Sequence, residues 1–242
     1  MSQHEHSNIC RYIASFADEA QAKFYLVMEY ADGGDLAGAI ARRREAGRDF
    51  WPEADAMSIF VMCLLAIRHV HSRRIVHRDI KAANVFLTKA GVVKLGDFGV
   101  STFLEGRAGA TVLAKTQVGT PYYLSPEIFD GQSYGRKSDV WSLGVLLYEV
   151  LALRVPFEAR SMVALCRLVT GKKDPKPLPS FYGDDAAKLV RWLMTRDPDR
   201  RPSADAVLRD SDYVRCHTGR EKGATLANFK PLLSRSFSTH FG

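Results

Sequence analysis

The stretch HRDIKAANVFLTKAGVVKLGD, residues 77–97, constrains the fold of this chain more than any other. Two polar turns, His77-Arg78-Asp79 and Leu95-Gly96-Asp97, bracket the strand-like pieces NVFL and VVKL. Short β-branched runs cut by turn residues read as strands, and RIVH just ahead is a third. Long apolar runs at helical spacing flank them. Apolar residues at 56, 59, 60, 63, 64, 67 and 70 predict a core helix that starts near Trp51-Pro52-Glu53 and ends at HVHSRR. Downstream, Ser138 reads as the cap of DVWSLGVLLYEVLA, and SMVALCRLV and AAKLVRWLMT are helical on either side of KKDPKPLP. Upstream, CRYIASFA and KFYLVMEY are β-rich runs joined by DEAQA, the pattern of a hairpin, and ADGGDL opens a short helix reaching ARRREAGR. Strands first and helices after make an α+β chain.

With HRDIKAAN, Asp97 of LGDFG, GTPYYLSPE, SDVWSLG and DPDRRPS in one order, the chain resembles the protein kinases from about Asn8 to Tyr213. Lys81, two residues past Asp79, is the serine/threonine pattern. The strings GTPYYLSPEI, LGDFGVS and HRDIKAANVFL are most similar to the NIMA-related kinases. The resemblance implies a protein-kinase-like fold, mostly its α-helical C-terminal lobe, with only the last strands and hinge of the N-terminal β lobe. It implies ATP and Mg²⁺ as cofactors, Asp79 as the base on a substrate hydroxyl and Lys81 steadying the γ-phosphate charge. Asn84 and Asp97 would hold the metal. At the hinge, Met28 resembles the gatekeeper, and the backbones of Glu29 and Ala31 would bond the adenine edge. Asp35 would reach the ribose and Phe86 would floor the base, although the side chains of Met28 and Phe86 also read as plain core. Thr120 would line the pocket beside the phospho-acceptor, and Glu127 would pair with Arg201 in the interior. Asp139 would brace the catalytic loop. Thr116 matches the family's activating phosphosite, with Arg78 as the phosphate's partner and Thr102 and Thr111 as competing acceptors.

Other kinase parts are not found in the first residues. Residues 1–32 contain no glycine, hence no Gly-rich loop, and their one lysine, Lys23, starts the hinge strand. Only 28 residues precede Glu29, whereas a full upper lobe takes roughly 65 by average element and loop lengths. The expectation is an N-terminally truncated kinase domain over 1–213 and a basic tail over 214–242. Phosphorylation of serine/threonine in proteins is the leading expectation. The alternative is a non-catalytic kinase-like module that binds or regulates a full-length relative.

Composition narrows the partners. The net charge is +7, and the tail from Val214 onward carries five Lys or Arg against one acid, Glu221. No basic block is dense enough to predict nucleic acid binding. The apolar runs IFVMCLLAI and LGVLLYEVLAL are short and interrupted, so no membrane span is expected. The cysteines Cys10, Cys63, Cys166 and Cys216 form no CxxC pair, which fits a reducing compartment and no zinc. Protein substrates, an upstream kinase and a full-length relative are the expected partners. The expected location is cytoplasmic, extending to nuclear, cytoskeletal or ciliary structures by family analogy.

Overall fold

The computed structural model describes residues 6–97, 102–103 and 121–218. Two strands, β1 (Tyr12–Asp18) and β2 (Lys23–Met28), form an antiparallel hairpin in register from Tyr12↔Met28 to Asp18↔Lys23, with one irregularity between Tyr12 and Ala14. Phe16 and Tyr25 stand opposite each other and stack at 5.0 Å between ring centroids, a cross-strand aromatic pair. Every residue of β2 is exposed. Met28, which the sequence reading also allowed as core, is 40% exposed, because neither face of the hairpin packs on the described body.

Helices make the body: α1 (Leu36–Glu45) and α2 (Glu53–Ser72), then the strand β3 (Ile75–Val76). The strands β4 (Val85–Leu87) and β5 (Val93–Leu95) pair as a second hairpin, and β6 (Thr102–Phe103) pairs with β3. A short α3 (Pro126–Phe129) precedes α4 (Arg136–Ala152), α5 (Met162–Thr170), α6 (Asp184–Leu193), α7 (Ala204–Asp210) and α8 (Asp212–Cys216). Helices α2 and α4 carry most of the core, with Phe60, Leu64, Ile67, Trp141, Leu143 and Leu147 almost wholly buried. By length and composition α2 could cross a membrane, because it runs unbroken through the polar residues at which the sequence reading cut it. Yet 72% of its apolar window is buried inside the fold.

Two clips fix the hinge to this body. Backbone bonds from Leu95 N to Asn8 O (2.8 Å) and Cys10 N to Leu95 O (2.9 Å) lay residues 8–10 along β5. Gly33 N donates to Leu87 O and Leu87 N to Gly34 O, both at 2.8 Å, tying the hinge turn to β4. A β-carbon at Gly33 would lie 2.7 Å from the Leu87 carbonyl oxygen, so only glycine admits this approach.

One expectation is corrected. Ser138 is not the cap of α4: the helix begins at Arg136 with Gly135 at its N-cap, and Ser138 sits one turn in. Its hydroxyl accepts from the N-cap amide of Gly135 at 3.2 Å, as an N3 side chain does in a capping box, and donates to Glu127 at 2.8 Å, a tertiary bond that local rules do not anticipate. Helix α8 runs on past Tyr213, and Val214 within it is fully buried. Residues 214–218 therefore belong to the folded body, and the remainder of the tail lies outside the described residues.

Candidate active site

Helix α2 ends at Ser72, and the chain turns through Arg74 (φ 60°) and β3 into the His77-Arg78-Asp79 turn. Arg78 has a φ of 71°, which a residue with a β-carbon rarely adopts. Asp139, wholly buried on α4, holds the turn there. It accepts from His77 N at 2.9 Å and Arg78 N at 3.0 Å, and also meets His71 Nε2 at 2.8 Å and the Tyr134 hydroxyl at 3.0 Å. Burial pushes the Asp139 carboxyl up, but its bond to His71 and the neighbouring histidines outweigh this and hold it below the usual range. A charged anchor thus sets two amides of a strained turn.

Beyond the turn, Lys81 Nζ reaches both Asp79 oxygens, at 3.0 and 2.7 Å. Asn84, on a turn of 3₁₀ helix (Ala82–Asn84), donates from Nδ2 to the Asp79 carbonyl at 2.8 Å and to Asp79 Oδ2 at 2.9 Å. Gly96 N donates to Asn84 O at 2.9 Å, while the Gly96 carbonyl accepts from His77 Nε2 at 3.1 Å. These bonds hold Gly96 against Asn84 and His77, and Asp97 (φ 56°) follows directly after it. Phe86 lies under Gly96, where a β-carbon would come within 2.6 Å of the ring.

At the hinge, Glu29 N donates to Arg11 O at 2.8 Å, and its carboxylate pairs with Lys94 at 2.7 Å. Asp35 caps α1 by accepting from Gly38 N at 2.7 Å, and bridges to Phe86 through backbone pairing. Ala31 follows in the connecting turn. Thr116 and Thr120 lie outside the described residues, as do the side chains from 98 to 120. Arg78 Nε is buried without a hydrogen-bond partner among the described residues. Glu127 and Arg201 meet as a buried bidentate pair at 2.8 and 2.9 Å.

The sequence reading missed His71 and Tyr134, which complete the Asp139 anchor, and Tyr123 and Glu149. The Tyr123 hydroxyl accepts from Ala82 N, just past Lys81, at 3.0 Å and donates to Glu149 on α4. Only the Tyr123 position in GTPYYLSPE could have flagged this link.

His77 gives a pH test. Its Nδ1 accepts from Asp79 N at 3.3 Å and its Nε2 faces a carbonyl, so the loop geometry requires the neutral ring. Burial lowers its proton affinity below that of a free imidazole, against the opposing pull of Asp139, Asp79 and Asp97. The unfolded chain therefore takes the proton first, and stability is lost as pH falls below about 6.5. The melting temperature is expected to drop between pH 7 and 5, and His77→Phe should flatten that slope. His6, also lowered by burial, contributes the part that remains.

Asn84 and Asp97 offer hard oxygen donors, and no group of three or more His, Cys, Asp or Glu ligands occurs among the described residues. That set suits Mg²⁺, which takes one or two protein oxygens and completes its shell with water and phosphate.

Residues 1–213 match the protein kinase domain model, and the chain belongs to the protein kinase family. Within it, the relatives are mostly of the NIMA-related group. The chain is 43% identical over 208 residues to serine/threonine-protein kinase Nek3 of Mus musculus, covering 86% of this chain and 39% of that protein. It is 37% identical over 218 residues to Nek4 of Mus musculus, covering 90% and 26%. To the putative serine/threonine-protein kinase A of Trypanosoma brucei brucei it is 40% identical over 204 residues, covering 84% and 46%. The chain thus spans less than half the length of each of these relatives.

Proposed function

We propose that this chain carries the catalytic-loop part of a serine/threonine protein kinase, transferring phosphate to hydroxyls of protein substrates. The observation that carries the reading is the Asp79–Lys81–Asn84 cluster, locked by Asp139 and tied through Asn84 to the Gly96 that precedes Asp97. In this reading Asp79 takes the substrate hydroxyl's proton, and Lys81 moves from Asp79 toward the charge that develops on the transferred group. Asn84 fixes Asp79 and, with Asp97, would hold Mg²⁺. When bound, Mg-ATP supplies the phosphoryl group. The hinge backbone at Glu29 and Ala31, with Met28, Asp35 and Phe86, would seat the nucleotide.

Residues 1–32 hold neither a Gly-rich loop nor a strand lysine placed for the phosphates. Lys23 is exposed and donates to Gln21 at 2.8 Å. Transfer by these residues alone is therefore expected to be slow, since this reaction rests on positioning and charge stabilisation. Phosphorylation at Thr116, with Arg78 as the phosphate's partner, belongs to the same proposal, as does work in the cytoplasm, nucleus or cilium. The second reading, a non-catalytic module that binds a full-length relative, is favoured by the exposed apolar hairpin, where Phe16, Phe24 and Leu26 are more than half exposed.

Thermal melting separates the two. Mg-ATP at a hundred times its Kd should add about 2.7 kcal/mol of stability, a rise of several degrees. That rise should vanish with EDTA or in Asp97→Asn. A protein whose melting is indifferent to Mg-ATP, and that labels no basic protein substrate, belongs to the second reading.

A further inference from the structure

Three bonds hold the hinge residue Glu29. Its N–H donates to Arg11 O at 2.8 Å, its carboxylate accepts from Arg11 N at 3.1 Å, and Lys94 Nζ reaches Glu29 Oε1 at 2.7 Å. Arg11 stands just ahead of β1, so its two bonds fix Glu29 only within the β1–β2 hairpin. Lys94 reaches it from the body. The Lys94 side chain is 14% exposed, low for a residue that is seldom buried without a partner. Burial pushes the Glu29 carboxyl up, but the Lys94 bond and the Arg11 amide more than offset this and hold it below the usual glutamate range. Lys94 is the middle residue of β5, directly opposite Phe86 in β4. Val85, Leu87, Val93 and Leu95 on either side are buried in the core. Alternation along the strands therefore puts Phe86 and Lys94 together on the other face. Asp97 follows three residues after Lys94.

We propose that Lys94 is a positioning residue for the nucleotide: its ion pair with Glu29 sets the hinge backbone relative to the strand pair that carries Phe86. The inference rests on the kinase reading above, in which the hinge seats the adenine and Phe86 floors it. With its N–H spent on Arg11, Glu29 has its carbonyl to offer a base. The direction of that carbonyl follows the orientation of the residue. Of the three bonds on Glu29, only the one to Lys94 refers that orientation to β4 and β5. The backbone clips of residues 8–10 onto β5, and of Gly33 and Gly34 onto Leu87, flank the hinge but do not touch Glu29. A base seated between hinge and floor needs the two at a fixed separation, since hydrogen-bond lengths span only about 0.5 Å.

Calorimetric titration of the whole chain with adenosine, and separately with ADP and Mg²⁺, tests this without catalysis. Lys94→Met keeps an unbranched stem and removes the cation. It should weaken both ligands by the same factor, about fivefold or more, the low end of the coupling between linked sites. Lys94→Arg keeps a cation for Glu29 and should recover most of the loss. Lys94→Met combined with Glu29→Gln should bind no more weakly than the weaker single variant, because both act through one contact. Melting curves confirm that each variant is folded. Should Lys94→Met not fold, Glu29→Gln carries the same test from the more exposed side of the pair, 29% by accessible area. Unchanged adenosine affinity in Lys94→Met overturns the proposal. So does a loss confined to ADP, which would make Lys94 a direct contact of the phosphate charge, or losses that add in the double variant. A wild-type chain that binds neither ligand removes the nucleotide reading itself, and this proposal with it; a wild-type chain that binds both while Lys94→Met binds equally well removes Lys94 alone.

Discussion

Asp79→Asn is expected to lower the phosphotransfer rate by about 10²–10⁴-fold, the usual contribution of a positioned general base, while leaving the fold intact. The substitution is nearly isosteric and the side chain is partly exposed, 28% by accessible area. Asn84 still finds the backbone carbonyl of residue 79, which it reaches at 2.8 Å, and an amide oxygen can replace Oδ2 as its second acceptor. Lys81 loses an ion pair, but surface pairs of this kind are worth about 0–1 kcal/mol. The amide cannot take the hydroxyl proton. The loss should therefore fall on kcat, with KM for ATP changed little, because the nucleotide's proposed contacts are elsewhere. Asp97→Asn is the contrasting variant: it should weaken Mg-ATP binding itself and abolish the nucleotide-dependent rise in melting temperature. A variant lacking the Asp79 carboxylate that still transferred phosphate at the original rate would remove Asp79 from the mechanism.

How much of this was legible in the sequence depended on the kind of interaction. The clustering of Asp79, Lys81 and Asn84 was, because they lie within six residues and their geometry follows from one turn. The β1–β2 hairpin was legible in its two β-rich runs, although its exposure was not, since a run of Phe, Tyr, Leu and Val reads as core whichever way it faces. The Asp139 anchor was half legible. Its place in SDVWSLG marked the acceptor, but His71 comes from the end of α2, and nothing local marks it as a partner. Ser138 was read as a cap because a serine before an apolar helical run usually is one. Its hydroxyl also donates to the buried Glu127 carboxylate, a tertiary demand that local rules do not contain. The clip of Gly33 onto Leu87 likewise depends on a contact 54 residues away.

Arg201→Met is expected to destabilise the protein by about 3–5 kcal/mol, the cost of stranding one member of a buried pair. Against a typical total of about 5–15 kcal/mol, such a loss leaves the fold marginal. The size follows from how completely Arg201 is used. Its guanidinium has five N–H donors, and each has an acceptor: Glu127 Oε1 at 2.8 Å and Lys137 O at 2.7 Å from Nη1, Glu127 Oε2 at 2.9 Å and Arg196 O at 3.0 Å from Nη2, and Thr195 O at 2.7 Å from Nε. Methionine supplies none of them, so three carbonyls and one carboxylate are left in the interior. The Trp141 ring, 5.2 Å from the guanidinium carbon, loses its cation as well. Arg201→Lys keeps the charge but not the fork, and should recover only part of the loss. Acid supplies an independent check. Burial pushes Glu127 up, but the bonds and charge of Arg201 hold it below the usual glutamate range. A carboxyl lowered in the folded state stabilises above its unfolded value and ceases to as pH falls through its folded one. The difference between wild type and Arg201→Met, measured by urea unfolding, should thus be full at pH 7 and shrink below about pH 4.5. Glu127→Gln combined with Arg201→Met should cost less than the two separate losses added, since no charge is then stranded. A full-sized cost that did not change with pH would place the effect in the three backbone carbonyls and the Trp141 packing, and take it away from the ion pair.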